Sequence, residues 1–295
     1  MITVESLSKR YGGRLVVDDV TFTAHPGRVT GFLGPNGAGK STSMRMMVGL
    51  TRPTAGHVTV CGSRFADLPN PGLAVGVMLD AAAQHAGRTG REVLGLAQQL
   101  MGLPAARVPA MLDRMGLSES DAGRRVGDYS LGMRQRLGIA LALIGDPEVL
   151  ILDEPANGLD PAGIRWMRDL LRGFADKGGT VLLSSHLLRE IEVVADDLVV
   201  IREGRVVVQG SKAELLRGSG TQARARDLPA LAHALSESGL TVAPTRDGAL
   251  VADAEPAVVG LVAREAGIAL IELRAVENDL EEMFLSLTAR EGEAA

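Results

Sequence analysis

Several things this sequence has little of narrow what it can be. Its 295 residues include one cysteine, Cys61. No disulfide can form within the chain, and a reducing compartment is expected. No run approaches the ~20 apolar residues that span a bilayer. The opening MITVESLSKRYGG also lacks the long apolar stretch of a signal peptide. These absences predict a cytoplasmic protein with no direct membrane insertion. An excess of positive charge is missing too. The net charge is −5, which argues against nucleic acid as the default partner, because such binding draws on a basic field. Lysine is scarce: Lys9, Lys40, Lys177 and Lys212 are the only four among 31 basic residues. There is no long internal repeat and no low-complexity segment. His25, His57, His85 and His233 are scattered without metal-ligand spacing. Trp166 belongs to no motif and reads as packing.

What is present starts with an ordinary hydrophobic share of 46%, enough for a real core. The length allows one large domain, or one domain with a small appendix. The most informative stretch is GPNGAGKST, Gly34 to Thr42. It fits G-x-x-x-x-G-K-[ST], the pattern of a phosphate-cradling loop, and places one of the scarce lysines where the pattern requires it. RVTGFLG (28–34) reads as a strand running into it, and SMRMMVGL as the helix that follows. Gly34, Gly37 and Gly39 are expected to let the backbone take positive φ and wrap an anion. The loop amides and the positive end of the helix would converge on a phosphate. Lys40 would add a cation near the β and γ phosphates, and Ser41 a hydroxyl for Mg²⁺. The whole loop, with Pro35, Asn36, Ala38 and Thr42, is expected to bind nucleotide.

Along the chain, ITVESL and LVVDDVTFTA (15–24) read as strands, as does HVTVCG (57–62). Residues 63–86 read as irregular. Thr89-Gly-Arg-Glu92 forms a capping box that opens a helix to about Leu100, and a second helix follows Pro104 over about 105–115. Residues 87–147 thus form a helical insertion. VLIL (149–152) suits a strand buried on both faces. Pro161 sits at the start of a helix running to about Asp176. TVLLSS (180–185) reads as a strand, HLLREIEVVA as a helix, and DLVVIREGRVVVQG as a hairpin turning at Glu203-Gly204. SKAELLRG reads as a short helix. RGSGTQARARD is Gly/Ser/Arg-rich and reads as a linker. From 221 onward the chain reads as strands near 222–226, 240–244, 249–253 and 269–274, with helices between. Leu280, Met283, Phe284 and Leu287 share one face of a last helix.

VLILDEP carries Asp153 and Glu154 to the C-terminal edge of a buried strand, where parallel α/β sheets bind ligands. Two acids there are costly unless used; the plain alternative is a pair of solvated loop acids. One carboxylate can hold the Mg²⁺ shell, and the adjacent one can point the other way and polarise a water. In YSLGMRQRLGIALAL, Ser130 is a reasonable N-cap for a long helix. Read alone, that is a capped helix with an anion-friendly start.

In this order, the motifs resemble the ATPase subunit of an ATP-binding cassette (ABC) transporter over about residues 1–217. The resemblance implies an α/β P-loop NTPase domain with a helical subdomain near 87–147. A small α+β accessory domain over 218–295 follows. GPNGAGKS matches Walker A and VLILDE matches Walker B, with Glu154 at the catalytic position. Tyr11, after SKR, matches the aromatic that stacks on adenine. YSLGM stands where the family has its LSGGQ signature and keeps Ser130 and Gly132, with Leu131 and Met133 as departures. GLD (158–160) matches the D-loop, so Asp160 joins the nucleotide-contacting set, and His186 in LSSH matches the switch histidine. Aligning VGVMLD (75–80) with the Gln-loop puts Asp80 at the glutamine position. There it is either an unusual Mg²⁺ ligand or an exposed loop acid.

The resemblance implies ATP and Mg²⁺ as cofactors and a head-to-tail homodimer. Ser130 and Gly132 of one subunit would complete the other's site. Lys40, Glu154 and His186 are the catalytic set, and Ser41, Asp153 and Asp80 the metal set. It also implies a separate membrane permease contacted near residues 63–100, so the subunit would lie peripherally on the inner face of the membrane. The ending VENDLEEMFLSLT resembles the drug-resistance and bacitracin-type exporter ATPases, which favours export. Two other classes are a cassette ATPase acting on ribosomes or nucleic acid, and a nucleotide-binding regulator. The first usually has tandem cassettes or a long coiled-coil insertion, absent here. Glu154 and His186 argue against the second.

Overall fold

A computed structural model describes residues 1–185, 188–245, 248–277 and 280–288. The chain divides into two compact units, residues 1–212 with the segment beginning at Phe284, and residues 213–283.

The first unit opens on an antiparallel sheet. β1 (Ile2–Tyr11) pairs with β2 (Arg14–Ala24) across a tight turn at Gly12-Gly13. β3 (Val29–Leu33) is buried along its whole length and passes through the Gly-rich loop into α1 (Lys40–Met47). β4 (Ala55–Val60) then returns to the other side of β1, giving the order β2-β1-β4.

The segment expected to be irregular over 63–86 is more ordered than that. After a 3₁₀ turn at Phe65–Asp67 it forms α2 (Pro71–Ala74) and β5 (Val75–Met78). β5 is an edge strand of the central sheet, paired in parallel with the Walker-type strand. Four residues with a glycine carry little strand signal of their own. Pairing and packing decide it: a Cβ at Gly76 would stand 2.1 Å from the Ala142 carbonyl oxygen.

The helical insertion follows as α3 (Gly90–Leu100), α4 (Arg107–Arg114), α5 (Glu119–Gly123) and α6 (Leu131–Leu143). The box at Thr89 forms as the sequence predicts: Thr89 Oγ1 accepts from Glu92 N–H, and the Glu92 carboxylate accepts from Thr89 N–H. A second box at Ser118 and Asp121 opens α5.

β6 (Val149–Asp153) and β7 (Thr180–Ser184) are buried throughout and flank α7 (Pro161–Asp176). α8 (Leu188–Val194), β8 (Asp197–Arg202), β9 (Arg205–Ser211) and α9 (Lys212–Leu215) complete this run. The central sheet has the order β5-β6-β7-β3-β8-β9, parallel except for β9. Covered on both faces, β3, β6 and β7 are buried at every position rather than at alternate ones. Phe22, Phe32, Met44, Met47 and Ile151 belong to one core that joins both sheets.

In the second unit the strand expected near 222–226 starts earlier, inside the stretch expected as a linker, and forms β10 (Arg217–Ala225). It lies at the interior of a four-stranded sheet, between β12 and β13 in the order β11-β12-β10-β13. Its Gly/Ser/Arg content hid an alternation in which Thr221, Ala223 and Ala225 are buried. The other elements are α10 (Leu228–Glu237), β11 (Val242–Pro244), β12 (Leu250–Ala252), α11 (Pro256–Glu265) and β13 (Leu270–Glu277). Leu231, Leu235, Val259 and Ala263 from the helices pack on Ala223, Leu250 and Ala252 of the sheet. α12 (Leu280–Thr288) closes the described chain, with Leu280 fully buried.

Candidate functional site

The parallel strands β3, β6 and β7 end on one side of the sheet, so the loops after them are neighbours. Register makes this specific. Phe32 and Asp153 both align with Ser184, which brings the end of β6 and the end of β3 to either side of β7.

The loop after β3 is held by its own backbone. Ala38 N–H donates to Pro35 O at 3.1 Å, Ser43 N–H to Gly39 O at 2.9 Å, and Gly204 N–H to Ala38 O at 3.0 Å. Gly37 and Gly39 adopt the positive φ expected, 81° and 106°. Gly34 does not; its requirement is space. A Cβ there would lie 2.3 Å from the Ile201 carbonyl oxygen of β8. Gly39 is the N-cap of α1 and offers no side chain to it. The first amides of the helix are therefore available to an anion.

Lys40 is buried, and its Nζ donates to Gly34 O at 2.5 Å and Pro35 O at 3.3 Å. Burial holds its pKa below the ordinary lysine value, partly offset by the nearby Glu154 and Asp153 carboxylates. Residues 36–42, Val16, Asp153 and Glu154 line one cavity of about 240 Å³. A cation, a hydroxyl, two carboxylates and a row of loop amides thus converge, as a phosphorylated ligand requires. Ser41 and Asp153 offer hard oxygen donors of the kind Mg²⁺ takes together with phosphates.

The two acids do not diverge as neighbours on a strand would. Glu154 has φ 51°, in the left-handed region, which breaks the alternation and lets both acids line the same cavity. For a non-glycine residue that conformation costs about 1–2 kcal/mol and persists only where neighbours fix it. Here Glu154 N–H donates to Ser184 O at 3.2 Å and Ser184 Oγ at 3.1 Å. Its carbonyl accepts from Asn157 N–H at 3.2 Å and Gln135 Nε2 at 3.4 Å. Ser184 Oγ in turn donates to Asp153 Oδ1.

Other expected residues lie elsewhere. Tyr11 is about half exposed at the end of β1, with Lys9 Nζ 4.8 Å from its ring centroid. It does not line the cavity, although its pairing partner Arg14 lines the adjoining one with residues 35–38. Ser130 caps α6, its Oγ accepting from Met133 N–H at 3.2 Å. Asp160 caps α7, its Oδ1 accepting from Gly163 N–H at 2.7 Å. A Cβ on Gly132 would lie 3.2 Å from Gly158 O, so the signature turn and the GLD turn adjoin each other, outside the cavity. Asp80 is exposed, and its Oδ1 accepts from Ala82 N–H at 2.7 Å. His186 lies outside the described residues. The sequence reading did not single out Ser184, Gln135, Val16 or Arg14. Only the polar end of TVLLSS hinted at Ser184; the others carry no motif signal.

A family model described as ABC transporter matches residues 17–157. An uncharacterized ABC transporter ATP-binding protein of Bacillus subtilis, YhcH, is 34% identical over 98% of this chain and 96% of its own. Nod factor export ATP-binding protein I of Ralstonia nicotianae is 37% identical over 99% and 94%. The bacitracin transport ATP-binding protein BcrA of Bacillus licheniformis is 40% identical over 70% and 68%. Among solved structures, an ATP-binding subunit of an ABC transporter superposes with TM-score 0.68 and 32% identity, over 74% of this chain and 92% of that one. A dimeric ATP-binding cassette with ADP and Pi superposes with TM-score 0.66 over 72% and 98%; at 21% identity it speaks to fold alone.

Proposed function

The chain belongs to the ABC transporter family, and from that premise we propose that it is the ATP-binding and ATP-hydrolysing subunit of an exporter. Its channel would be a separate integral-membrane permease. One observation carries the reading: Lys40, Ser41, Asp153 and Glu154 line a single cavity at the ends of β3 and β6. Export is supported by the relatives named for Nod factor export and bacitracin transport.

In this reading residues 1–217 form the ATPase domain and 218–295 an accessory domain. The backbone N–H groups of residues 36–42 bind the phosphates, and Lys40 leaves its loop carbonyls to pair with the γ-phosphate. Tyr11 offers its exposed ring to the adenine. Ser41 and Asp153 hold Mg²⁺, which supplies positive charge against the developing negative charge of phosphoryl transfer. Glu154 accepts a proton from the attacking water, and His186 steadies the γ-phosphate. Ser130 and Gly132, which stand outside the cavity of their own chain, complete the site of a second copy; Asp160 lies beside them. The γ-phosphate then bridges two subunits, and its loss opens them. The subunit works at the inner face of the membrane and takes no nucleic acid.

Phosphate release by the purified chain with Mg²⁺ and ATP tests this. Steady release is expected. No release, alone or beside its permease, would overturn it.

A further inference from the structure

We infer that Gln135 and Ser184 are positioning residues that clamp the Glu154 peptide from its two ends, so that α6 sets the aim of the carboxylate. The inference rests on the proposed ATPase reading and gives roles in that site to two residues to which the motif reading assigned none.

Glu154 holds a left-handed backbone, and an extended one would turn its side chain to the opposite side from Asp153's. Its N–H is taken by both oxygens of Ser184, which is fully buried at the end of β7. The same hydroxyl donates to Asp153 Oδ1. One serine therefore fixes the orientation of both acids, and its single proton goes to Asp153 while its lone pair receives Glu154 N–H. The Glu154 carbonyl is met from the other side by Gln135 Nε2 at 3.4 Å.

Gln135 is the more telling partner. It is buried, and its Oε1 has no hydrogen-bond partner among the described residues. Keeping a half-satisfied amide in a core is unfavourable for stability alone, where a leucine of similar volume would pack without loss. Its place explains it. Gln135 lies in the second turn of α6, the helix capped by Ser130 and bearing Gly132 near its start. Ser130 and Gly132 serve a neighbouring copy's phosphate in the proposed dimer, whereas Gln135 reaches the base of its own chain's site. A shift of α6 when the signature turn engages nucleotide is thus delivered to the Glu154 carbonyl. The 3.4 Å contact is long for a hydrogen bond, so closure of α6 has room to tighten it.

The test measures steady-state and single-turnover phosphate release by the full chain with Gln135→Leu and Ser184→Ala, each alone and combined with Glu154→Gln. In the Glu154-containing chain each variant is expected to lower kcat roughly tenfold while KM for ATP moves less than about twofold. Combined with Glu154→Gln at saturating Mg²⁺, neither is expected to lower the residual rate further, because there each acts through the Glu154 carboxylate. Ser184→Ala alone should also raise the Mg²⁺ concentration giving half-maximal rate, because only Ser184 touches Asp153. Gln135→Glu, which keeps size but removes the donor, should behave as Gln135→Leu does. Bound fluorescent ATP analogue reports whether each variant is folded. Additive losses in the Glu154→Gln background, or wild-type kcat in folded Gln135→Leu, would overturn the clamp. Absence of hydrolysis by the unaltered chain would instead overturn the ATPase reading itself.

Discussion

Lys40 donates to the carbonyl oxygen of Gly34, six residues before it and at the other end of the same loop, at 2.5 Å. The ammonium is therefore stored against neutral dipoles, in a buried place that pushes its pKa down. A phosphate would add a counter-charge beyond the nearby Glu154 and Asp153 carboxylates.

Binding of ATP should accordingly raise the Lys40 pKa. The free site loses its proton at a pH below the ordinary 10.5, while the occupied site keeps it. Affinity should fall as pH rises through the free-site pKa, with proton uptake on binding. Calorimetry in two alkaline buffers of different ionisation enthalpy measures that uptake. It should vanish in Lys40→Arg, whose guanidinium stays charged. Equal uptake in both proteins would assign the proton elsewhere.

Glu154→Gln should retain ATP binding and lose about 100-fold or more of turnover, the usual scale for a general base. Size-exclusion chromatography with ATP and Mg²⁺ should show a dimer that outlives the wild-type one. Unimpaired hydrolysis would remove Glu154 from the mechanism.

Gly34→Ala and Gly37→Ala separate two reasons for a glycine. At Gly34 the new Cβ meets backbone 2.3 Å away, at the Ile201 carbonyl oxygen. That strand cannot step aside cheaply. At Gly37 nothing lies within 4 Å, so only the left-handed backbone matters, worth about 1–2 kcal/mol. Thermal unfolding should show the larger Tm loss for Gly34→Ala. The reverse order would mean the loop moves more easily than β8 permits.

Asp80 spends its carboxylate on Ala82 N–H, and it does not line the cavity. Asp80→Asn keeps an acceptor for that turn. It should leave the Mg²⁺ dependence of hydrolysis by the isolated chain within about twofold of wild type. A large rise in the Mg²⁺ requirement would make Asp80 a ligand in the nucleotide-bound protein.

Some of this molecule is written along the chain because the interactions are local. The loop from Gly34 to Thr42 closes through hydrogen bonds spanning a few residues. The box at Thr89 and Glu92 spans three. β3 and β6 are buried at every position because both of their faces are covered. Such features can be read from spacing and residue type, and so could the roles of Lys40 and Ser41 in the loop. Tertiary structure decided the rest. β5 and β10 are strands because neighbours pair with them, against weak or misleading local composition. Asp153 and Glu154 share a cavity because the parallel register of β6 and β7 places Ser184 beside them, some 30 positions away in the chain. Gln135 reaches Glu154 only through the packing of α6. Strand register and helix packing join residues far apart in sequence, and a motif records only the residues that lie close together along it.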